Sequence, residues 1–356
     1  MPASLFKLRP RGPWRIGPVS GARTRAEAIL PSDTLYSALT LALGTLGWMD
    51  EWLAVTAGAT SREPAVRFTS LFPAQEENLL APPPAHLWPA PAARLRPAGA
   101  RLIPTALIRA LAMGEGWNEE QWEVDGLSEC LLRRGRRRAA GSPYRVALRH
   151  HAAVDRLEPG RIAAHETACI EFAEGAGLWC AAEYSSAAHA AAWAPRIEAA
   201  FRLLADSGLG GERRQGWGAF VVDRVERGEM PELIWGRPRP LTTPAASSSE
   251  DESIASAAPA EERGWWLLSL FSPADSDQVD WTRGSFSLVE RAGRVAATGD
   301  AKLRTRLVRE GSVLLTGGGS PLTGRAWNVA PPHFTAHPVW RAGYAVAISL
   351  PWRVPA

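Results

Sequence analysis

The 356-residue chain carries 40 basic and 37 acidic residues, a formal charge of +3, and 46% hydrophobic residues. That length accommodates two domains, and no run of eighteen apolar residues occurs, which excludes a transmembrane helix. Met1–Arg11 is mixed and basic, without the apolar core of a secretory signal. Cys130, Cys169 and Cys180 are scattered with no C-x-x-C pair, so neither a disulfide framework nor a zinc site is expected and a reducing cytoplasm is.

In chain order, the first expected element is a strand at Leu5–Leu8 running into Arg9, Arg11 and Arg15. The stretch L-P-S-D-T-L-Y-S-A-L-T-L-A-L, Leu30–Leu43, follows. Ser32 or Asp33 is a natural N-cap there, and Leu35, Leu39, Ala42 and Leu43 form a helical stripe. A helix N-terminus of this kind favours anions through its free N–H groups and its dipole, while the plain alternative is a capped helix packed on a sheet. The proline-dense segment 73–104 predicts irregular, extended chain.

Residues Arg133–Arg161 hold nine arginines against two acids, Asp155 and Glu158. Within them Tyr144–His151 alternates, with Tyr144, Val146 and Leu148 on one face and Arg145, Arg149 and His151 on the other. That pattern predicts a strand with one basic face. Asp155–Gly160 reads as a turn, with return strands at His165–Phe172 and Leu178–Tyr184. The run R-R-G-R-R-R, Arg133–Arg138, is either a contact for a nucleic-acid backbone or a solvated loop. His150 and His151, beside Asp155, invite comparison with a general base, but neighbours on a strand face opposite ways and no second partner stands at a telling spacing.

Next, Trp193–Asp206 carries a helical stripe of Ile197, Ala200, Phe201 and Leu204, and Ala219–Val225 reads as a strand. Between them lies G-L-G-G-E-R-R-Q-G-W-G-A-F, Gly208–Phe220, with five glycines in thirteen residues. Glycines allow close backbone approach and positive φ; Arg213 and Arg214 offer forks for phosphate; Trp217 offers a face for a base. The order helix, glycine loop, strand is the reverse of the nucleotide-binding fingerprints, which run strand, loop, helix. A glycine-rich hairpin with incidental charge is the alternative.

Residues 239–262 hold one arginine and five acids, rich in Ser, Ala and Pro, and predict a disordered acidic linker. The rest of the chain is therefore +7, a field that permits a nucleic-acid partner without demanding one. Two domains follow, 1–238 and 263–356. The second is expected to contain a strand at Trp265–Phe271, the phrase W-T-R-G-S-F-S-L-V-E-R-A-G-R-V (Trp281–Val295), a basic helix at Lys302–Arg309 and a closing strand near Tyr344–Leu350. Both parts begin and end on strands with helices between, a pattern that fits two βαββαβ units. His333 and His337 receive no role, and the Asp275/Asp277 pair lacks the ligand set of a metal site.

Taken as an ordered set, these features resemble the RAMP superfamily of CRISPR proteins. Within it they resemble the type III-A (Csm) effector subunit that caps the 5′ end of the crRNA. The resemblance rests on the glycine loop between helix and strand and on L-P-S-D-T-L-Y-S-A-L at 30–39. It continues through A-L-R-H-H-A-A-V-D-R (Ala147–Arg156), G-S-F-S-L-V-E-R-A-G-R-V (Gly284–Val295), R-E-G-S-V-L (Arg309–Leu314) and H-P-V-W-R-A-G-Y (His337–Tyr344). Arg214 and Gln215 stand where relatives often carry small hydroxyl residues.

The resemblance implies an α+β fold of two ferredoxin-like (RRM-type) domains with a β-hairpin thumb inserted at about 140–172. It implies a non-catalytic scaffold that holds the crRNA handle, contacts the large polymerase-like signature subunit and starts the RAMP backbone filament, in the cytoplasm, with no cofactor, metal or membrane. The handle would be lined by Gly210, Gly211, Arg213, Arg214, Gly216, Trp217 and Gly218, with Ser32, Asp33 and Thr34 beside that loop and Arg9 a further RNA contact. Arg145, Arg149, Asp155 and Arg156 would lie on the thumb. The alternatives are a crRNA-processing endoribonuclease of the same superfamily, the equivalent capping subunit of a type III-B complex, and a general RNA-binding protein.

Overall fold

The computed structural model describes residues 1–18, 21–58, 63–88, 100–116, 118–135, 141–154, 162–235, 262–296 and 298–352. The first half is built on strand β1 (Pro2–Pro10), helices α1 (Ser32–Thr45) and α2 (Met49–Thr56), and strands β2 (Val66–Phe68), β3 (Phe72–Gln75), β4 (Asn78–Ala81) and β5 (Ile103–Pro104). Helix α3 (Thr105–Ala112), the small hairpin β6 (Trp122–Val124) and β7 (Leu131–Arg133), and the long hairpin β8 (Tyr144–Val154) and β9 (Ile162–Phe172) follow. Strand β10 (Ala176–Tyr184), helix α4 (Ala187–Ser207), strand β11 (Phe220–Glu229) and the short helix α5 (Glu232–Trp235) complete it. No helix among the described residues is long and apolar enough to cross a membrane.

Seven of these strands form one antiparallel sheet in the order β11-β1-β10-β3-β4-β5, with β2 also paired to β10, while β6–β7 and β8–β9 form separate two-stranded sheets. Alternation along β1 dictates how it is covered. Phe6 and Leu8 face α1 and α4, where Phe6 stacks on Phe201 at 4.3 Å. Leu5 faces the opposite way, into a core that includes Leu107 and Ile108 of α3 and Trp266, Val313 and Ile348 of the second half. The helical stripes of α1 and α4 are buried as their spacing requires: Leu35, Leu39 and Leu43 on one, Ile197, Ala200, Phe201 and Leu204 on the other. Helix α1 begins at Ser32, with Pro31 as its N-cap and no side-chain cap. The expected capping role of Ser32 or Asp33 is therefore corrected, because both side chains are drawn into contacts with the second half.

The second half contributes β12 (Arg263–Leu267), β13 (Val279–Ser285), β14 (Leu288–Arg291), β15 (Thr305–Val308), β16 (Val313–Thr316), β17 (Gly324–Asn328), β18 (Trp340–Tyr344) and β19 (Ala347–Pro351). Its sheet runs β13-β16-β12-β19. No α-helix of this half lies among the described residues. Hairpins β14–β15 and β17–β18 fill the connections instead. The helix expected at Lys302–Arg309 is strand β15: Leu307 and Val308 are buried, and the register Leu288↔Val308 to Arg291↔Thr305 pairs its backbone with β14. Cross-strand pairing and the β-branched Thr305 and Val308 outweigh the basic, helix-like composition. Segment 73–104 is likewise more regular than its prolines suggest, since β3 and β4 pair across Ala74↔Leu79 and Gln75↔Asn78. The acidic linker lies outside the described residues apart from Glu262.

The two halves share their core, and a polar seam joins them. Asp33, 5% exposed at its side chain, accepts from Arg291 Nη2 at 2.9 Å and Nε at 3.1 Å and lies 3.5 Å from Arg341 Nε. Arg341 also donates to the carbonyls of Arg291 and Ala292 at 2.7 and 2.8 Å. Ser32 Oγ accepts from the Leu270 N–H at 3.0 Å, and Tyr344 donates its hydroxyl to the Thr56 carbonyl at 2.6 Å.

Ser70 Oγ hydrogen-bonds Glu310 in the same seam. Desolvation there pushes the Glu310 carboxyl above its ordinary value, against the smaller opposing effect of Ser70. The folded state thus holds a proton on Glu310 more tightly than the unfolded state. Its contribution to stability is fully present below the ordinary glutamate value and is lost as pH rises through the raised one. Glu310→Gln is expected to flatten that decline and to stabilise the chain at pH 8 relative to the parent, as read by melting temperature at pH 4 to 8. A steeper decline in the variant would contradict the assignment.

Candidate nucleic-acid interface

Helix α4 ends where Leu204 accepts from the N–H of Gly208, which has φ +77°. The chain then folds back through a single 3-10 turn, Arg213–Gln215, before entering β11. The helix, glycine loop, strand order is as the sequence predicts. What the glycines do differs. A Cβ on Gly210 would lie 2.4 Å from the Arg15 carbonyl oxygen, and one on Gly218 would lie 1.9 Å from that of Leu209, both at positive φ. The glycines here let the loop pack against its own backbone and against Pro13–Arg15. The N–H groups of Leu209, Gly211, Gly216 and Gly218 are bonded within the fold, to Gly218, Arg15, Arg213 and Pro13 carbonyls. Those four amides are therefore not available to cradle a ligand. Arg213 and Arg214 stand exposed on the turn and make no ion pair among the described residues.

Gly218→Ala is accordingly expected to cost more than about 2 kcal/mol, combining backbone strain with a clash that only main-chain movement relieves. Gly216, equally at positive φ but with open space around its Cβ position, should cost about 1 kcal/mol on the same change. Denaturant unfolding of both variants checks the ranking, and equal effects would contradict it.

Trp217 also departs from expectation. It is 8% exposed and packs its ring 5.7 Å from His151, so it presents no open face to a base. His151 in turn stacks on His165, its partner across the hairpin, at 5.2 Å. Trp217 therefore fastens the glycine loop to the β8–β9 hairpin.

Arg15 holds the third corner. Its guanidinium is buried and donates to the carbonyls of Arg23 and Ala168, each at 2.9 Å, while its own backbone bridges Gly211. Beside it Trp14 is fully buried against Phe172 and Phe220 and bridges Ile170 of β9. In the sequence Arg15 is one basic residue among several, and its position one place after a tryptophan among prolines and glycines carries no signal that it would be inside.

The hairpin itself pairs eleven residues, from Tyr144↔Phe172 to Val154↔Ile162. Its base is buried on the β9 side at Ala168, Cys169 and Ile170. On β8 the apolar face is buried only at Tyr144; farther along it Val146 and Leu148 are 51% and 48% exposed. Arg145 and Arg149 share one carboxylate, Glu171, with Arg145 at 2.9 Å. With the two arginine side chains 65% and 51% exposed, these pairs contribute little to stability. Arg9 pairs with Asp223 at 3.3 Å and is exposed in the same way. His150 pairs with Glu166 at 3.3 Å on the outer face. Asp155 and Arg156 lie outside the described residues.

Ser32, Asp33 and Thr34 belong elsewhere. Ser32 and Asp33 are buried in the seam between the halves, and Thr34 accepts from Arg291 at 2.9 Å. Their hydrogen bonds hold β14 and the main chain at Leu270 rather than the glycine loop, so their expected RNA contacts are replaced by a structural role. The cysteines are buried and free. Among the described residues no group of three or more His, Cys, Asp or Glu is placed to hold a metal ion.

Residues 260–350 match the family described as the CRISPR Csm4 C-terminal domain, a span that begins before β12 and reaches into β19. No curated protein has a sequence that matches the chain. A chain from the crystal structure of the Csm3-Csm4 subcomplex in the type III-A CRISPR-Cas interference complex shares the fold with a TM-score of 0.59 at 16% identity, covering 99% of this chain and 100% of its own length. A chain of the Csm1-Csm4 cassette in complex with cA4 does so with a TM-score of 0.54 at 16% identity, and the match covers both chains completely. The fold is thus shared from end to end, and residues 260–350 match the CRISPR Csm4 C-terminal domain family.

Proposed function

We propose that the chain is a non-catalytic RNA-binding scaffold subunit of a type III-A CRISPR interference complex. In this role it holds the single-stranded, repeat-derived 5′ handle of crRNA and joins the large signature subunit to the RAMP backbone. The observation that carries the reading is one structural unit: the Gly208–Phe220 loop, buried Arg15 and the base of the β8–β9 hairpin are locked together, with Arg213 and Arg214 at the crown and unpaired among the described residues. Single-stranded RNA recognition needs cations in fixed positions beside a surface that splays the bases. The loop supplies the first. The hairpin, with Val146 and Leu148 outward and Arg145 and Arg149 on its other face, supplies a wedge suited to the second and fits the thumb of the RAMP reading.

The strand orders support reading both halves as ferredoxin-like units. Numbered along the chain, β1, β3, β10 and β11 stand in the order 4-1-3-2, and so do β12, β13, β16 and β19. The solved relatives are complexes of Csm4 with Csm3 and with Csm1, which supports a backbone subunit and a large subunit as the partners here.

Reconstitution tests this. The full chain, mixed with its cognate large subunit, backbone subunit and crRNA, is expected to co-elute with all three and to leave the RNA full length without added divalent metal. Shortened RNA, lost on His150→Ala, would instead establish the endoribonuclease alternative. Failure to co-elute would contradict the scaffold role.

A further inference from the structure

At the sheet edge opposite β11 lies a groove of about 660 Å³ between α3, the β3–β4 turn and the β6–β7 hairpin. Leu107 and Leu131 form its apolar floor. One wall is Trp122, half-buried, with the Arg133 guanidinium 5.6 Å from its ring centre across the hairpin. On the rim stand two exposed carboxamides, Asn118 and Gln121. Asn118 uses its Oδ1 to accept from the Glu120 N–H, while its Nδ2 and the whole Gln121 amide have no protein partner among the described residues.

The lining holds no carboxylate among the described residues, and its one charge is Arg133. Those features fit a flat, amphipathic, anionic guest. An apolar slot with an indole wall takes the face of a base. The Gln121 carboxamide, with donor and acceptor side by side, and the Asn118 Nδ2 donor match a base edge. A guanidinium at the mouth matches a phosphate. Gly141, three residues before the long hairpin begins, also lines the groove. The groove therefore adjoins the hairpin base on the side away from the glycine loop, about five strand spacings, roughly 24 Å, across the sheet.

We propose that this groove takes one unstacked nucleotide of single-stranded RNA, its base in the slot beside Trp122, its edge read by Asn118 and Gln121, and its phosphate on Arg133. The inference rests on the RNA-binding reading above and adds a second contact point to it, on the far side of the hairpin.

Ultraviolet crosslinking of the full chain to single-stranded RNA substituted with 4-thiouridine, followed by mapping of the crosslinked peptides, separates the two claims. The expected result is two crosslinked regions, one at Arg213–Trp217 and one at Asn118–Arg133. Asn118→Ala with Gln121→Ala, two exposed changes that leave the core alone, should reduce the second region about tenfold, the loss expected for one stacked and read base, and leave the first intact. Trp122→Phe, which keeps an aromatic wall, should retain it. Crosslinks confined to the glycine loop would overturn the groove while leaving RNA binding in place. No crosslink anywhere would overturn both. Protection of 118–133 on addition of a protein partner, with no RNA crosslink there, would make the groove a protein-docking surface and overturn the proposal.

Discussion

Asp33→Ala is expected to destabilise the folded chain by about 3–5 kcal/mol, the cost of stranding buried charge. Among the described residues Asp33 is the one carboxylate in ion-pair reach of both Arg291 and Arg341, whose side chains are 13% and 5% exposed. Without it two guanidiniums face each other in a poorly solvated seam, and the strongest polar tie between the halves is gone. Arg291→Ala should be milder, because Arg341 still lies 3.5 Å from the carboxylate. Guanidinium unfolding of the three proteins at neutral pH measures both effects. The handle affinity of the folded Asp33→Ala fraction should match that of the parent, since Asp33 faces the second half. A loss of affinity with unchanged stability would return Asp33 to the RNA surface that its sequence context suggested.

Replacing Arg213 and Arg214 together by Ala is expected to act the opposite way, on binding rather than folding. Both sit on an exposed 3-10 turn, and no hydrogen bond or ion pair among the described residues holds their side chains. Their removal should leave stability within about 0.5 kcal/mol of the parent. If each guanidinium meets a phosphate, each contributes about 1.5–3 kcal/mol, and the pair together about a hundredfold or more in affinity. The salt dependence is the sharper readout. Two lost phosphate contacts on single-stranded RNA should reduce the slope of log affinity against log salt by about 1.4. An unchanged slope would remove these residues from the interface.

Much of the fold was legible because local signals agreed with tertiary need. The α1 and α4 stripes, the alternation of Tyr144–His151 and the glycine loop between helix and strand all appear where periodicity put them. Three things were hidden, for different reasons. Lys302–Val308 has helix-like basic composition, yet pairing with β14 decides its conformation. The close approaches of Gly210 and Gly218 to the Arg15 and Leu209 carbonyls were hidden as well, because loop glycines mark room for a ligand and tight backbone packing alike. Finally, Asp33 and Trp217 are residue types that serve RNA contacts and cores alike. Their partners, Arg291 and Arg341 for one and His151 for the other, lie too far along the sequence for spacing to reveal. The outward turn of Val146 and Leu148 belongs to the same class, since alternation marks two faces without saying which one the fold covers.

The central claim is that the glycine loop and hairpin grip a defined single-stranded handle. It is tested most directly by gel-shift titration of the full chain against RNA bearing the cognate repeat-derived 5′ handle, with a scrambled handle alongside, at two salt concentrations and without divalent metal. The account predicts tighter binding to the cognate handle at both salts, with the RNA intact and the preference reduced in the Arg213→Ala, Arg214→Ala variant. Equal, salt-sensitive binding to both RNAs would contradict it.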